Sequence, residues 1–219
     1  MNEDELTGLG GHDALDDALE GALRAGEEGL SPVSLVVMDV DKLGRINETF
    51  GREMGDEALR RLSGLFRAHF EPQGQVFRDA ADRFAAVLGG VSKEQAFLIA
   101  EKCRAAVEGA EALSIKEQAG PALPSFSAGV SNCPDDGAKQ GELTRKAQGA
   151  LYRAKLGGGN RICLAKEDKM VTKTSHYTTE QLQMLSLLSR REGLGEAVLL
   201  REALDDLIKK AMSQQTVDK

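Results

Sequence analysis

Short unbroken apolar runs alternate along this chain with longer stretches of helical period. Val33-Ser34-Leu35-Val36-Val37-Met38 is continuous, the pattern of a strand covered on both faces. Gln75-Val76-Phe77 and Phe84-Ala85-Ala86-Val87-Leu88 flank the charged segment 78–83 and predict a β-hairpin over 75–88. Two further strands are expected over 125–130 and 160–164. Helical periodicity marks 12–25, 42–50, 56–70, 93–107 and 143–155, with Leu59, Leu62, Leu65 and Phe66 sharing one face of the third. Pro121 to Pro124 reads as a loop and Pro134-Asp135-Asp136-Gly137 as a turn. Strands and helices alternating around an antiparallel hairpin predict an α/β class, an α+β sandwich with a mixed central sheet.

Two acids punctuate this pattern. Asp39 ends the first strand, and Asp82 stands in the turn of the hairpin. Carboxylates at adjacent strand ends can share a divalent cation and the phosphates it carries. Arg83, a fixed positive charge, stands beside Asp82, and Ala80 and Ala81 occupy the tip of the turn.

Composition narrows the class. The 219 residues suffice for one large domain or a medium domain with a small one, and the net charge of −7 argues against a protein that coats nucleic acid broadly. Cys103, Cys133 and Cys163 are odd in number and share no metal-ligand spacing, so they read as reduced thiols. The opening Met1-Asn2-Glu3-Asp4-Glu5 is acidic where a signal peptide would be basic, and no apolar run reaches membrane-spanning length. The sequence predicts a soluble cytoplasmic protein without membrane contact.

Eight segments then fall into one family's order and spacing. They are Leu6-Thr7-Gly8-Leu9, Met38-Asp39-Val40-Asp41, Ile46-Asn47-Glu48, Phe50-Gly51, Gly55-Asp56, Arg78 with Ala80-Ala81-Asp82-Arg83-Phe84, Ser127-Ala128-Gly129-Val130, and Ala150-Leu151-Tyr152-Arg153-Ala154-Lys155. Residues 4–165 thus resemble a GGDEF, or diguanylate cyclase, domain with a nucleotide-cyclase-like palm. The resemblance implies that Asp39 and Asp82 occupy metal-ligand positions, residual here, where active members hold two magnesium ions. It implies that Asn47 and Asp56 face a guanine base and that Lys155 serves the nucleotide's phosphates.

The departures are as informative. Arg83 replaces the fourth signature residue, an acid in active members, and a guanidinium cannot ligate magnesium. Ala80 and Ala81 replace the signature glycines, penalising any left-handed backbone there. Gly44 and Gly159 replace a lysine and an arginine of the phosphate site, and Glu71-Pro72-Gln73-Gly74 replaces the family's Arg-x-x-Asp product-inhibition motif. The degenerate signature, Arg78, Ala80, Ala81, Asp82, Arg83 and Phe84, predicts a catalytically inactive homologue. It requires no cofactor, and its candidate ligand is a guanine nucleotide (GTP or cyclic di-GMP) with Mg2+. Residue by residue, simpler roles stand beside these: Asn47 and Asp56 as helix caps, and Asp39 as the acid opening the next helix.

The last quarter changes character and is nearly neutral, with 8 basic and 9 acidic residues over 167–219. A Thr-rich extended segment, 170–177, precedes a helix opened by Thr178-Thr179-Glu180, a break at Glu192-Gly193-Leu194-Gly195, and a second helix over 196–212. So short a unit buries too little to stand alone, so two copies must pair. It resembles a ribbon-helix-helix (β-α-α) module, which implies a homodimer through 170–213. Thr172, Lys173, Thr174 and His176 would then meet double-stranded DNA. The expected organisation is a degenerate GGDEF domain over 1–166 and the module over 167–219. Since no sensor domain is expected ahead of Asp4, the first domain would itself be the input. Two other readings stand beside this regulator: a dimeric scaffold docking a protein partner in the old cleft, and a nucleotide cyclase of altered specificity.

Overall fold

β1 (Val33–Val40) is the axis of a five-stranded sheet. A computed structural model describes residues 3–29, 31–117, 123–166 and 174–192, with 195–197, 199–200, 203–204 and 207 beyond them. β1 pairs antiparallel with β3 (Arg83–Gly89) on one side and with β4 (Phe126–Cys133) on the other. β2 (Gly74–Arg78) lies antiparallel outside β3, and β5 (Ile162–Leu164) runs parallel outside β4. The order β2-β3-β1-β4-β5 is therefore a mixed sheet, as the alternation of elements predicts.

Both faces are covered, which is why β1 reads as an unbroken apolar run. Val36, Met38 and Val40 point into one core with Leu59, Leu62, Phe66 and Phe70 of α3 (Arg52–Phe70) and Ala96, Ala100 and Cys103 of α4 (Lys93–Glu117). Val33, Leu35 and Val37 point the other way. There they meet Leu15, Leu19 and Leu23 of α1 (His12–Gly29) and Leu143, Ala147 and Leu151 of α5 (Gln140–Leu156). Phe66 anchors the first core, edge-on to Phe84 at 5.0 Å and to Phe126 at 4.9 Å.

α2 (Leu43–Phe50) and α3 meet at Gly51, whose φ of 88° is a left-handed turn that suits glycine. α3 opens at Arg52, four residues before the expected start. Gly55 and Asp56 therefore lie inside its first turns, and Asp56 is no cap. Asn47 lies inside α2, and the residue that opens α2 is Lys42, so Asp39 caps nothing either.

The chain divides into two compact units, Met1–Asp168 and Lys169–Lys219. In the second, α6 (Thr179–Glu192) opens on a reciprocal cap. The Gln181 amide N–H donates to Thr178 Oγ1 at 3.2 Å, and the Thr178 amide N–H donates to Gln181 Oε1 at 2.9 Å. Helical residues recur at 196–197, 199–200, 203–204 and 207. Of the extended segment expected over 170–177, residues 174–177 form no strand, and 170–173 lie outside the described residues. Among the described residues no helix is long and apolar enough to cross a membrane.

Candidate functional site

The C-terminal end of β1 delivers two carboxylates to the rim of the sheet. Asp41 is buried and its oxygens are engaged: Ser125 Oγ donates to Oδ2 at 2.9 Å, Ser127 Oγ to Oδ1 at 2.8 Å, and the Asn160 amide N–H to Oδ2 at 2.8 Å. Asp39 is less enclosed and forms an ion pair with the Lys155 ammonium, which lies 3.3 Å from Asp41 Oδ1. Burial pushes the Asp39 carboxyl above its ordinary range despite this ammonium, and the charges of Asp82 and Asp41 push the same way. The three acids are thus close enough to repel, with Lys155 the cation among them.

The hairpin turn closes over this end. The Val40 amide N–H donates to the Asp82 carbonyl at 3.0 Å, seating Asp82 beside Asp39. Asp79 and Ala80 amides both donate to the Arg83 carbonyl, at 2.9 and 3.1 Å. Neither Ala80 nor Ala81 adopts a left-handed backbone; among the described non-glycine residues only Lys42 and Asn160 do. The strain expected of alanines at the signature is absent because this turn closes without positive φ.

Arg83 also differs from expectation. Its Nε donates to Asp79 Oδ2 at 2.5 Å, so the guanidinium is neutralised within the turn instead of standing as a bare charge beside the acids. Asp79, whose side chain is 8% exposed, takes His12 Nδ1 on its other oxygen at 2.6 Å. Arg78 donates to the Ala81 carbonyl at 2.6 Å and to Asp4 Oδ1 at 2.8 Å. Phe84 of the signature is wholly buried. Neither Asp79 nor Asp41 is assigned a role by the sequence pattern alone. An acid inside the turn and the second acid of a D-x-D strand end were the available signals.

Asn47 and Asp56 come from neighbouring helices. Glycine at position 55 makes this possible, since a Cβ there would collide with the Asn47 amide. Asn47 is exposed and Asp56 half-buried, so both present polar atoms to solvent beside the same helix turn. Gly158 and Gly159 wrap past Asp41 with left-handed φ of 104° and 78°; Asn160 follows at 48°. A Cβ at Gly159 would lie 3.1 Å from Asp41 Oδ1, so an arginine here would crowd that carboxylate.

The family model described as "Diguanylate cyclase, GGDEF domain" matches residues 1–161. This chain belongs to the GGDEF family. Diguanylate cyclase DosC of Escherichia coli is 34% identical over 136 residues, covering 62% of this chain and 29% of that protein. An uncharacterized membrane protein of Staphylococcus aureus is 30% identical over 166 residues, covering 74% of this chain and 46% of that protein. The chain thus spans less than half the length of these curated relatives. Among solved structures, the active GGEEF domain of a Vibrio cholerae diguanylate cyclase superposes with a TM-score of 0.65 at 27% identity, over 73% of this chain and 99% of that one. The GGDEF domain of DgcB from Caulobacter crescentus, in complex with c-di-GMP, gives 0.67 at 26% identity, over 74% and 95%.

Within the GGDEF domain the donor set does not fit a pair of magnesium ions. Arg83 offers no lone pair, Asp41 is saturated by hydroxyl and amide donors, and Asp39 already holds an ammonium. Among the described residues no group of three or more His, Cys, Asp or Glu side chains converges as a metal site. In the second unit, Thr174 and His176 are exposed, while Thr172 and Lys173 lie outside the described residues.

Proposed function

We propose that this GGDEF domain is a non-catalytic guanine-nucleotide receptor. The observation that carries this is the signature turn, where the fourth position is an arginine tied to Asp79 and contributes no ligand to a metal. Phosphoryl transfer in a cyclase depends almost wholly on cationic positioning and charge stabilisation, so losing these parts removes turnover before it removes binding. Recognition needs less. Asn47 and Asp56 are not occupied as caps, and their amide and carboxylate match the hydrogen-bonding edge of guanine. A relative of known structure, the Caulobacter domain, holds c-di-GMP, which supports this ligand class. Glu71 to Gly74 carry no arginine or aspartate, so cyclic di-GMP would have to bind in the cleft itself.

Calorimetric titration with GTP and with cyclic di-GMP tests the reading. Asp56→Ala should weaken binding about ten- to a hundredfold, the worth of a charged hydrogen bond, with the fold intact by circular dichroism. No heat from either nucleotide with the unsubstituted protein would refute it.

For the second unit we propose pairing with a second copy, and contact of the paired segment 172–176 with DNA. What favours pairing is α6, which exposes Leu182, Met184, Leu187 and Leu188. Light scattering of the full chain should give the mass of a dimer. Retardation of genomic DNA fragments should be weak and should fall only gradually as salt rises, since the few basic residues offer few phosphate contacts. A monomer at all concentrations would remove both parts.

A further inference from the structure

Three oxygens at the end of β1 converge on one amino group. Lys155 Nζ pairs with Asp39 Oδ1 and lies 3.3 Å from Asp41 Oδ1 and 3.5 Å from the Val40 carbonyl. The side chains of Asp39 and Lys155 are 24% and 35% exposed, so neither charge is fully hydrated. Lys155 stands in the last turn of α5, next to Ala154, which is fully buried against the sheet. Its amino group is therefore tethered at the carboxylates and pays little translational entropy to stay there.

We propose that Lys155 is the resident cation of this cleft: its ammonium takes the Asp39 and Asp41 oxygens that a divalent ion would need, and balances their charge in its place. A divalent ion on the same Asp39 oxygen would lie at contact distance from the ammonium and be repelled by it, so the two compete for that oxygen. A small hard ion must also shed water to enter, which magnesium does reluctantly. Asp82, seated beside Asp39 by its own carbonyl, adds its charge to this cluster. The inference rests on reading this cleft as the ligand site, yet its test uses no nucleotide, so the two can fail separately.

The full chain is titrated with Mn2+, free ion being followed by electron paramagnetic resonance. Lys155→Met should bind Mn2+ about tenfold or more tightly than the unsubstituted protein. Adding Asp39→Asn to that variant should abolish the gain, which locates it at this carboxylate. Equal or weaker Mn2+ binding by Lys155→Met overturns the proposal. Should Lys155→Met fail to fold, the unsubstituted protein carries a second readout, the nitrogen resonance of the Lys155 ammonium. It should stay unmoved in excess Mg2+, and its displacement would overturn the proposal equally.

Discussion

Asp79 lies between a histidine of α1 and an arginine of β3, and its own side chain is nearly buried. The hydrogen bond to Asp79 raises the His12 pKa above its ordinary 6.5, and the charges of Asp16, Asp79 and Asp13 add to the effect. A pKa raised on folding stabilises the fold below the unfolded value, and that contribution is lost as pH rises through the folded value. Folding stability should therefore fall between about pH 6 and pH 8 more steeply in the unsubstituted protein than in His12→Asn. Urea midpoints across that range measure the difference, and parallel curves would show that the pair contributes nothing. His12 is 62% exposed, so screening keeps the effect small. Little of this was legible in sequence. Asp39 stands out because it ends an apolar run and Asp82 because it sits in the family's signature turn, but Asp79 looks like ordinary turn polarity. Its partner His12 is 67 residues away, and only the fold brings them together.

At the scale of elements, the strands were legible and several helix ends were not. β1 and the hairpin announce themselves because both faces of the sheet are covered, leaving unbroken apolar runs. Gly55 misled: it reads as the start of a helix, whereas its missing Cβ serves the approach of Asn47 within a helix that began at Arg52. α4 runs on to Glu117, past the expected end at Val107, because Gly109 is tolerated within it. Gly129 is a more exacting position. A Cβ there would collide with the Ala147 carbonyl and the Leu151 amide of α5, so strand and helix pack backbone to backbone. Gly129→Ala should therefore cost about 1–3 kcal/mol, read as a lower urea midpoint, since α5 must lift off β4. An unchanged midpoint would mean that α5 is held less closely than the geometry requires.

For the whole molecule, the eight co-ordered segments located a GGDEF domain, and relatives of solved structure share its fold. They could not show how the departures are absorbed. Arg83 is neutralised by an acid inside the turn, and the turn closes at Ala80 and Ala81 without positive φ. The signature's fourth position is thereby left without a ligand for a metal. The measurement that bears most directly on this is equilibrium dialysis of the full chain against radiolabelled GTP with Mg2+, followed by chromatography of the nucleotide retained with the protein. A non-catalytic receptor retains label, and the label is unchanged GTP. Label from GTP recovered as cyclic di-GMP, or no label retained from either GTP or cyclic di-GMP supplied in turn, would contradict it.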